Sequence, residues 1–396
     1  MIKKQLIIAL TGFLAMVMSC SGNGTEDETA LNKVGSESNY TVSLGVNYNE
    51  QLPFVDFNDL ERSKTKWVRG FIDFFQMYEN PSALHSDERI IKYLSLKPAG
   101  YRTILNIKWN FKARAESFPA EGSATMKSYL GFLEQLLEKV WLPTDILVIG
   151  NEPFIETSAE EKNQRLVDFY KAVAATVKKF REKQPGHFVP VFVGAFNNLY
   201  DPAWRTQATK SLMEFAKNDP GIAGIDLHIH HASMDQMKSA LQYAAGLMRE
   251  NQKILITEFS LMKHWKAQLN NSIPESFASQ YQLDPMMKNY QYIDLALKKP
   301  RQASEWYNYL IASNWFESRK HYLQEAYALL TAEPRFLIAT YGIRQSYPYN
   351  QDFTTTTDPW VLNGLFANRT LVPDPVSGMN QSNYAFIEDF ISIQKK

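Results

Sequence analysis

The stretch D-I-L-V-I-G-N-E-P-F-I-E-T, residues 145–157, starts as a buried strand and ends as something else. Its first five residues are mostly apolar. Gly150 follows, and then Asn151, Glu152 and Pro153, none of which suits a core. A strand that is apolar along its length and polar at its C-terminal end fits a parallel sheet covered on both faces, where function gathers at the carboxyl edge.

The rest of the chain repeats the pattern. Strands are expected at 41–49, 66–73, 101–111, 188–196, 224–232 and 253–262, each an apolar run rather than an alternating one. Helical periodicity falls between them, at 55–64, 87–100, 124–140, 159–183, 202–218 and 234–251. The strand-to-strand interval of about 30–40 residues is that of a (β/α)8 TIM barrel. No Gly-rich phosphate loop follows any strand, so a dinucleotide or P-loop fold has no support. An eighth strand is expected at 334–346, with 309–317 as its rival, which leaves a long insertion after strand 7. Residues 360–366 and 383–393 read as a closing segment and a final helix. No linker divides residues 41–396, so one barrel domain is expected.

The second telling residue is Glu258, in I-L-I-T-E-F-S. It lies 106 positions after Glu152 (258 − 152), three cycles of about 35 residues. If Glu152 ends strand 4, Glu258 ends strand 7, and the two face each other across the mouth of an eight-stranded barrel. Two carboxylates so placed can flank a glycosidic bond.

G-N-E-P after an apolar strand, with I-T-E-F at this interval, resembles the signature of the retaining glycoside hydrolases of clan A, over residues 40 to 366. The resemblance implies Glu152 as acid/base and Glu258 as nucleophile, with carboxyl groups about 5–5.5 Å apart. Mutual repulsion would raise the pKa of one when the other ionises. Arg69, in W-V-R-G-F-I-D, resembles the clan's strand-2 arginine that keeps the nucleophile ionised, and Asn151 would bond the sugar 2-hydroxyl. The clan's strand-6 tyrosine has no counterpart in H-I-H-H, and its place beside the nucleophile falls to His230. His228 and His230 alternate on strand 6 and share its inner face. They also raise the question of a metal, but no third ligand stands at a diagnostic spacing, and no metal or cofactor is expected. Asn47 at the end of strand 1, and Trp109 and Asn110 at the end of strand 3, are candidate subsite residues. Asn197 and Asn198 are weaker ones. The clan's strand-8 tryptophan would be replaced by Tyr341, or by Trp315 on the rival assignment. Trp265 is the expected cleft wall.

Composition agrees with a carbohydrate partner. The 396 residues carry 42 Lys plus Arg against 42 Asp plus Glu, which gives no electrostatic reason to expect nucleic acid or a strongly anionic substrate. Aromatic residues make up 13 %, and sugar rings stack on such side chains. At the N-terminus two lysines precede an apolar run from Leu6 to Met18, then Ser19 and Cys20, the only cysteine. This has the layout of a secretory signal, and V-M-S-C resembles a lipobox. Residues 1–19 are therefore expected to be a lipoprotein signal peptide, Cys20 the lipidated residue, and 20–40 a flexible tether. The expected protein is secreted and held on the bacterial outer membrane by lipid alone. It would hydrolyse a neutral β-linked polysaccharide, as an endo-β-glucanase or mannanase. An exo-acting β-glycosidase and a catalytically inactive glycan-binding barrel are the alternatives.

Overall fold

In a computed structural model of the chain, described here for residues 42–346 and 351–395, eight parallel strands close into a barrel. They are β1 (Ser43–Asn47), β2 (Trp67–Asp73), β3 (Arg102–Lys108), β4 (Ile146–Val148), β5 (Val191–Asn197), β6 (Ile222–His230), β7 (Lys253–Ser260) and β8 (Phe336–Gly342). Each pairs with the next in sequence, and β8 closes on β1. The eighth strand is the one expected at 334–346. The rival segment is helical, over Ala303–Ala312 and Asn314–Glu317, because its apolar residues recur at helical spacing: Trp306, Tyr309 and Leu310 are all buried on one face. The proposed signal peptide, Cys20 and the tether lie outside the described residues.

The strands are short and buried on both sides, as their apolar runs imply. Inside the barrel, at the end remote from the strand C-termini, Trp67, Ile104, Ile146, Val148, Phe192 and Leu255 form their own cluster, separate from the larger layer between strands and helices. Burying each such side chain contributes roughly 1.5–3 kcal/mol, and the plug leaves only the carboxyl end open.

The insertion after β7 is a helical block from Met262–Lys266 to Tyr322–Thr331, the last helix of which leads into β8. The closing helix, Phe386–Gln394, returns to the first strand, where Gln394 Nε2 donates to Leu44 O at 2.6 Å. Arg344, just past β8, bonds Asp59 and Asp56 at 2.8 Å each and ties the barrel's closure to the helix Phe57–Ser63. Among the described residues no helix is long and apolar enough to cross a membrane.

Candidate active site

The opening stretch now has a physical reason for each of its odd residues. A Cβ at position 150 would stand 2.2 Å from Gly194 O, so only glycine lets the end of β4 lie against β5. The backbone of Asn151 is then held by Ala195 N, which donates to Asn151 O at 2.6 Å. After Pro153 the chain turns back, and the N–H groups of Ile155 and Glu156 both donate to Glu152 O at 2.9 Å. The turn leaves the Glu152 side chain facing the mouth of the barrel.

Glu258 reaches the same place from β7. One oxygen of each carboxylate, together with ring nitrogens of His228 and His230, lies in a group whose atoms are all within 4.8 Å of one another. The two glutamates therefore face each other as the spacing predicts.

Arg69 organises the floor. It is fully buried, and every nitrogen of its guanidinium has a partner. Nε donates to Asn106 Oδ1 at 2.9 Å. Nη1 donates to Glu258 Oε1 at 2.7 Å, to Asn49 Oδ1 at 2.6 Å and to Asn47 Oδ1 at 3.1 Å. Nη2 donates to Asn151 Oδ1 at 2.5 Å. A buried cation is tolerated only with such saturation. Asn151 gives one of its own N–H bonds to Glu156 Oε1 at 2.8 Å. Its amide is thus fixed from both sides, with one N–H left for a ligand.

His228 stands between the two glutamates, with Nε2 also 3.7 Å from Glu258 Oε1, while His230 faces Glu258 alone. His228 Nδ1 lies 3.0 Å from Glu152 Oε1, and its Nε2 lies 3.0 Å from Thr257 Oγ1. His230 Nδ1 meets Ser260 Oγ at 2.9 Å, while its Nε2 stands 3.6 Å from Glu258 Oε2, ion-pair rather than hydrogen-bond distance. Glu152 Oε1 also accepts from Asn197 Nδ2 at 2.6 Å.

Burial acts to raise the pKa of Glu258, but the positive charges of His228 and Arg69 outweigh it and hold this carboxyl far below the usual carboxylate range. Burial and the charge of Glu258 also push Glu152 up, yet the hydrogen bond and charge of His228 win, and Glu152 is held below its ordinary value. Burial lowers the His228 pKa, but the two glutamates outweigh it and raise it. Repulsion between the carboxylates, the expected source of a raised acid, is therefore overridden by an imidazole between them. Glu156 behaves differently: burial, then the nearby charge of Glu152, push it up to about 7, and its Oε2 has no partner among the described residues.

A cavity of about 130 Å³ opens beside Glu258, lined among others by Asn47, Asn49, Gln51, His230, Asn363 and Trp360. Asn47 is placed as expected. Trp360 was missed as a site residue. It is half-buried and packs edge-on against His230 with ring centres 4.7 Å apart. It comes from the closing segment, not from a strand, so strand counting could not find it.

Several expected site residues are elsewhere. Trp109 is 1 % exposed, packed on Phe74 at 4.0 Å, with Nε1 donating to Ile149 O. Tyr341 is fully buried against Phe259 and Phe386, and Trp265 is fully buried with Phe316 and Phe386. None of the three offers surface to a ligand. His228, 1 % exposed, meets Glu152 and Thr257 and is no ligand contact. Trp315 packs on Tyr309 and Phe316, and Asn110 caps a short helix by accepting from Ala113 N. Asn198 accepts from Lys263 Nζ at 3.0 Å. The four donors Glu152, His228, His230 and Glu258 also form a set that sequence spacing did not reveal as possible metal ligands. The Arg69 cation at 2.7 Å from Glu258 opposes a second cation there.

Fold and site together define a (β/α)8 barrel with a carboxylate pair and a buried arginine at its carboxyl mouth. The chain matches no protein-family model and no curated protein. Among solved structures it is similar to the "Ignisphaera aggregans GH53 catalytic domain", with a TM-score of 0.54 and 14 % identity over 91 % of this chain and 98 % of that one. It is also similar to a beta-glucosidase from Exiguobacterium marinum, with a TM-score of 0.51 and 9 % identity over 89 % and 97 % of the two chains. At such identities the likeness bears on the fold.

Proposed function

We propose that the protein is a retaining glycoside hydrolase acting on a neutral β-linked polysaccharide, of endo-β-glucanase or mannanase type. The observation that carries this reading is the pair Glu152 and Glu258, with oxygens no more than 4.8 Å apart at the open end of the barrel. Inverting enzymes hold their carboxyl groups about 6.5–9.5 Å apart to admit a water, whereas a pair at about 5–5.5 Å leaves room for direct attack. Glu258, kept ionised by Arg69 and His228, would attack the anomeric carbon. Glu152 would give a proton to the departing oxygen and later take one from water. Asn151, with its remaining N–H, would bond the 2-hydroxyl, and Trp360 would offer the aromatic face that Tyr341, Trp109 and Trp265 do not. The beta-glucosidase description of one structural neighbour supports the class by fold analogy only.

The balanced charge of the chain supports a neutral glycan rather than a uronate polymer. A hydrogen bond of 3.2 Å from Gln51 Nε2 to Ser346 Oγ joins the loops after β1 and β8 where they line the cavity, which favours exo action as the second reading. Secretion and a lipid anchor at Cys20 complete the proposal. The test is release of reducing ends by the purified protein from a panel of glucans, mannans and xylans. Product length separates endo from exo action. Binding without release on every glycan would leave a non-catalytic barrel.

A further inference from the structure

Behind Glu152 runs a chain of hydrogen bonds that the double-displacement scheme does not require. Asp226, fully buried on β6, accepts from Thr257 N at 3.0 Å, from Thr257 Oγ1 at 2.6 Å and from Asn106 Nδ2 at 3.1 Å. The hydroxyl proton of Thr257 is thereby committed to Asp226. Thr257 Oγ1 can then only accept from His228 Nε2, 3.0 Å away, so Nε2 carries a hydrogen. With Nε2 protonated, the 3.0 Å contact between His228 Nδ1 and Glu152 Oε1 has two favourable states. Either His228 is a cation donating to a carboxylate, or Glu152 is a neutral acid donating to a neutral imidazole. Both contain one transferable proton. Losing it would set the lone pair of Nδ1 against those of Oε1, which costs free energy.

We propose that Glu152 and His228 together store the proton delivered to the leaving group, and that Thr257 and Asp226 are positioning residues which keep it there by locking His228 in the Nε2–H form. The inference rests on the reading of Glu152 as acid/base. In the first step the proton passes from the pair to the glycosidic oxygen, through the Glu152 carboxyl. The C1–O electron pair leaves with that oxygen, and a Glu258 oxygen bonds to C1. In the second step water gives its proton back to Glu152, and its oxygen displaces Glu258 from C1. Without the lock, neutral His228 can turn to the Nδ1–H form and donate to an ionised Glu152. That N–H belongs to a neutral imidazole and is not acidic, so the store empties at lower pH. The titratable and charged groups around the pair are Glu258 on β7, Asp226 and His230 on β6, Arg69 on β2, and Glu156 in the turn after β4. The raised pKa of His228 agrees with a retained proton.

The test compares wild type, Thr257→Val and Thr257→Ser in the full chain. Two measurements are made: the ¹⁵N shifts of the His228 ring, and kcat/KM against pH for two aryl β-glycosides of one sugar. One glycoside has a 2,4-dinitrophenyl leaving group, which needs no proton, and the other a phenyl group, which does. Nε2 should be protonated in wild type and in Thr257→Ser. Thr257→Val should show the Nδ1–H form, an alkaline limb moved to lower pH, and a loss of roughly tenfold or more on the phenyl glycoside with little change on the dinitrophenyl one. Equal losses on both substrates, no rescue by serine, or a wild-type ring with bare Nε2 would overturn the proposal. The wild-type spectrum decides the lock even if Thr257→Val does not fold. Absence of hydrolysis of either glycoside by wild type would defeat the glycosidase reading instead, while the spectrum still reports on the lock.

Discussion

Arg69 Nη1 and Glu258 Oε1 meet at 2.7 Å although they stand 189 positions apart in the chain. The contact joins β2 to β7 across the barrel, and it explains why a fully buried arginine is kept at a strand centre. Its other bonds go to Asn47, Asn49, Asn106 and Asn151, so one cation fixes the amides at the end of β1 and just beyond it, of β3, and of the stretch after β4. An ionised Glu258 is the electrostatic counterpart of that arrangement.

Glu156 provides a readout of stability against pH. Burial pushes its carboxyl up to about 7, from 4.5 for a free glutamate. Between these values the unfolded chain has released a proton that the folded one retains, so stability falls as pH rises from about 4.5 to 7. The full difference is about 3 kcal/mol, at 1.36 kcal/mol for each pKa unit. Glu156→Gln should remove this slope, and denaturant unfolding of both proteins at pH 5 and pH 8 checks it. Parallel stability changes in the two proteins would mean that Glu156 ionises normally.

Trp360 should matter for binding more than for folding. Trp360→Ala removes the aromatic face beside His230 while leaving Glu152 and Glu258 in place. KM for an oligosaccharide should rise roughly tenfold, as the loss of about 1.4 kcal/mol of stacking implies. Isothermal titration with the Glu258→Gln background reports the same change as affinity. Unchanged affinity would place the sugar elsewhere.

How far the sequence is legible depends on which physical signal it carries. Parallel strands buried on both faces write themselves as apolar runs, so all eight were found, and with them the facing of Glu152 and Glu258. The aromatic residues were misread because strand ends alone do not say which way a side chain points. On β3, Asn106 faces inward to Arg69, so by the two-residue period Trp109 points out to the helices. On β8, Thr340 lines the cavity and Tyr341 points away. On β6 the same parity places Asp226, His228 and His230 on one face, but the sequence reading singled out only the two histidines, and the Asp226 network came from the structure. Trp360 carried no such signal, since its position depends on how a segment without strands folds back over the mouth.

Tyr341→Phe tests that correction. The Tyr341 hydroxyl is buried with no partner among the described residues. Removing it should leave KM unchanged and stability equal or higher, since an unsatisfied buried hydroxyl costs about 1–3 kcal/mol. A raised KM for the tyrosine-to-phenylalanine protein would return Tyr341 to the subsite.

Cys20→Ser tests the anchor. The lysine pair, the apolar run and V-M-S-C lead to the expectation that the variant is released from membranes or left unprocessed. Fractionation with mass measurement of the N-terminal peptide checks it. Membrane retention and processing unchanged from wild type would defeat the claim.

The roles of the two glutamates are separated most directly by the anomer each variant makes from one activated β-glycoside in azide. Glu152→Ala should form the glycosyl-enzyme with a leaving group that needs no proton and then stall, because no base activates water. Azide needs no base, so it should restore turnover and give the β-glycosyl azide. Glu258→Ala lacks the covalent route, and azide entering the vacated space should give the α-product. Proton NMR of the two products decides the matter. Opposite anomers are the expected result, whereas the same anomer from both, or full activity of either variant without azide, would contradict the assignment of Glu152 and Glu258.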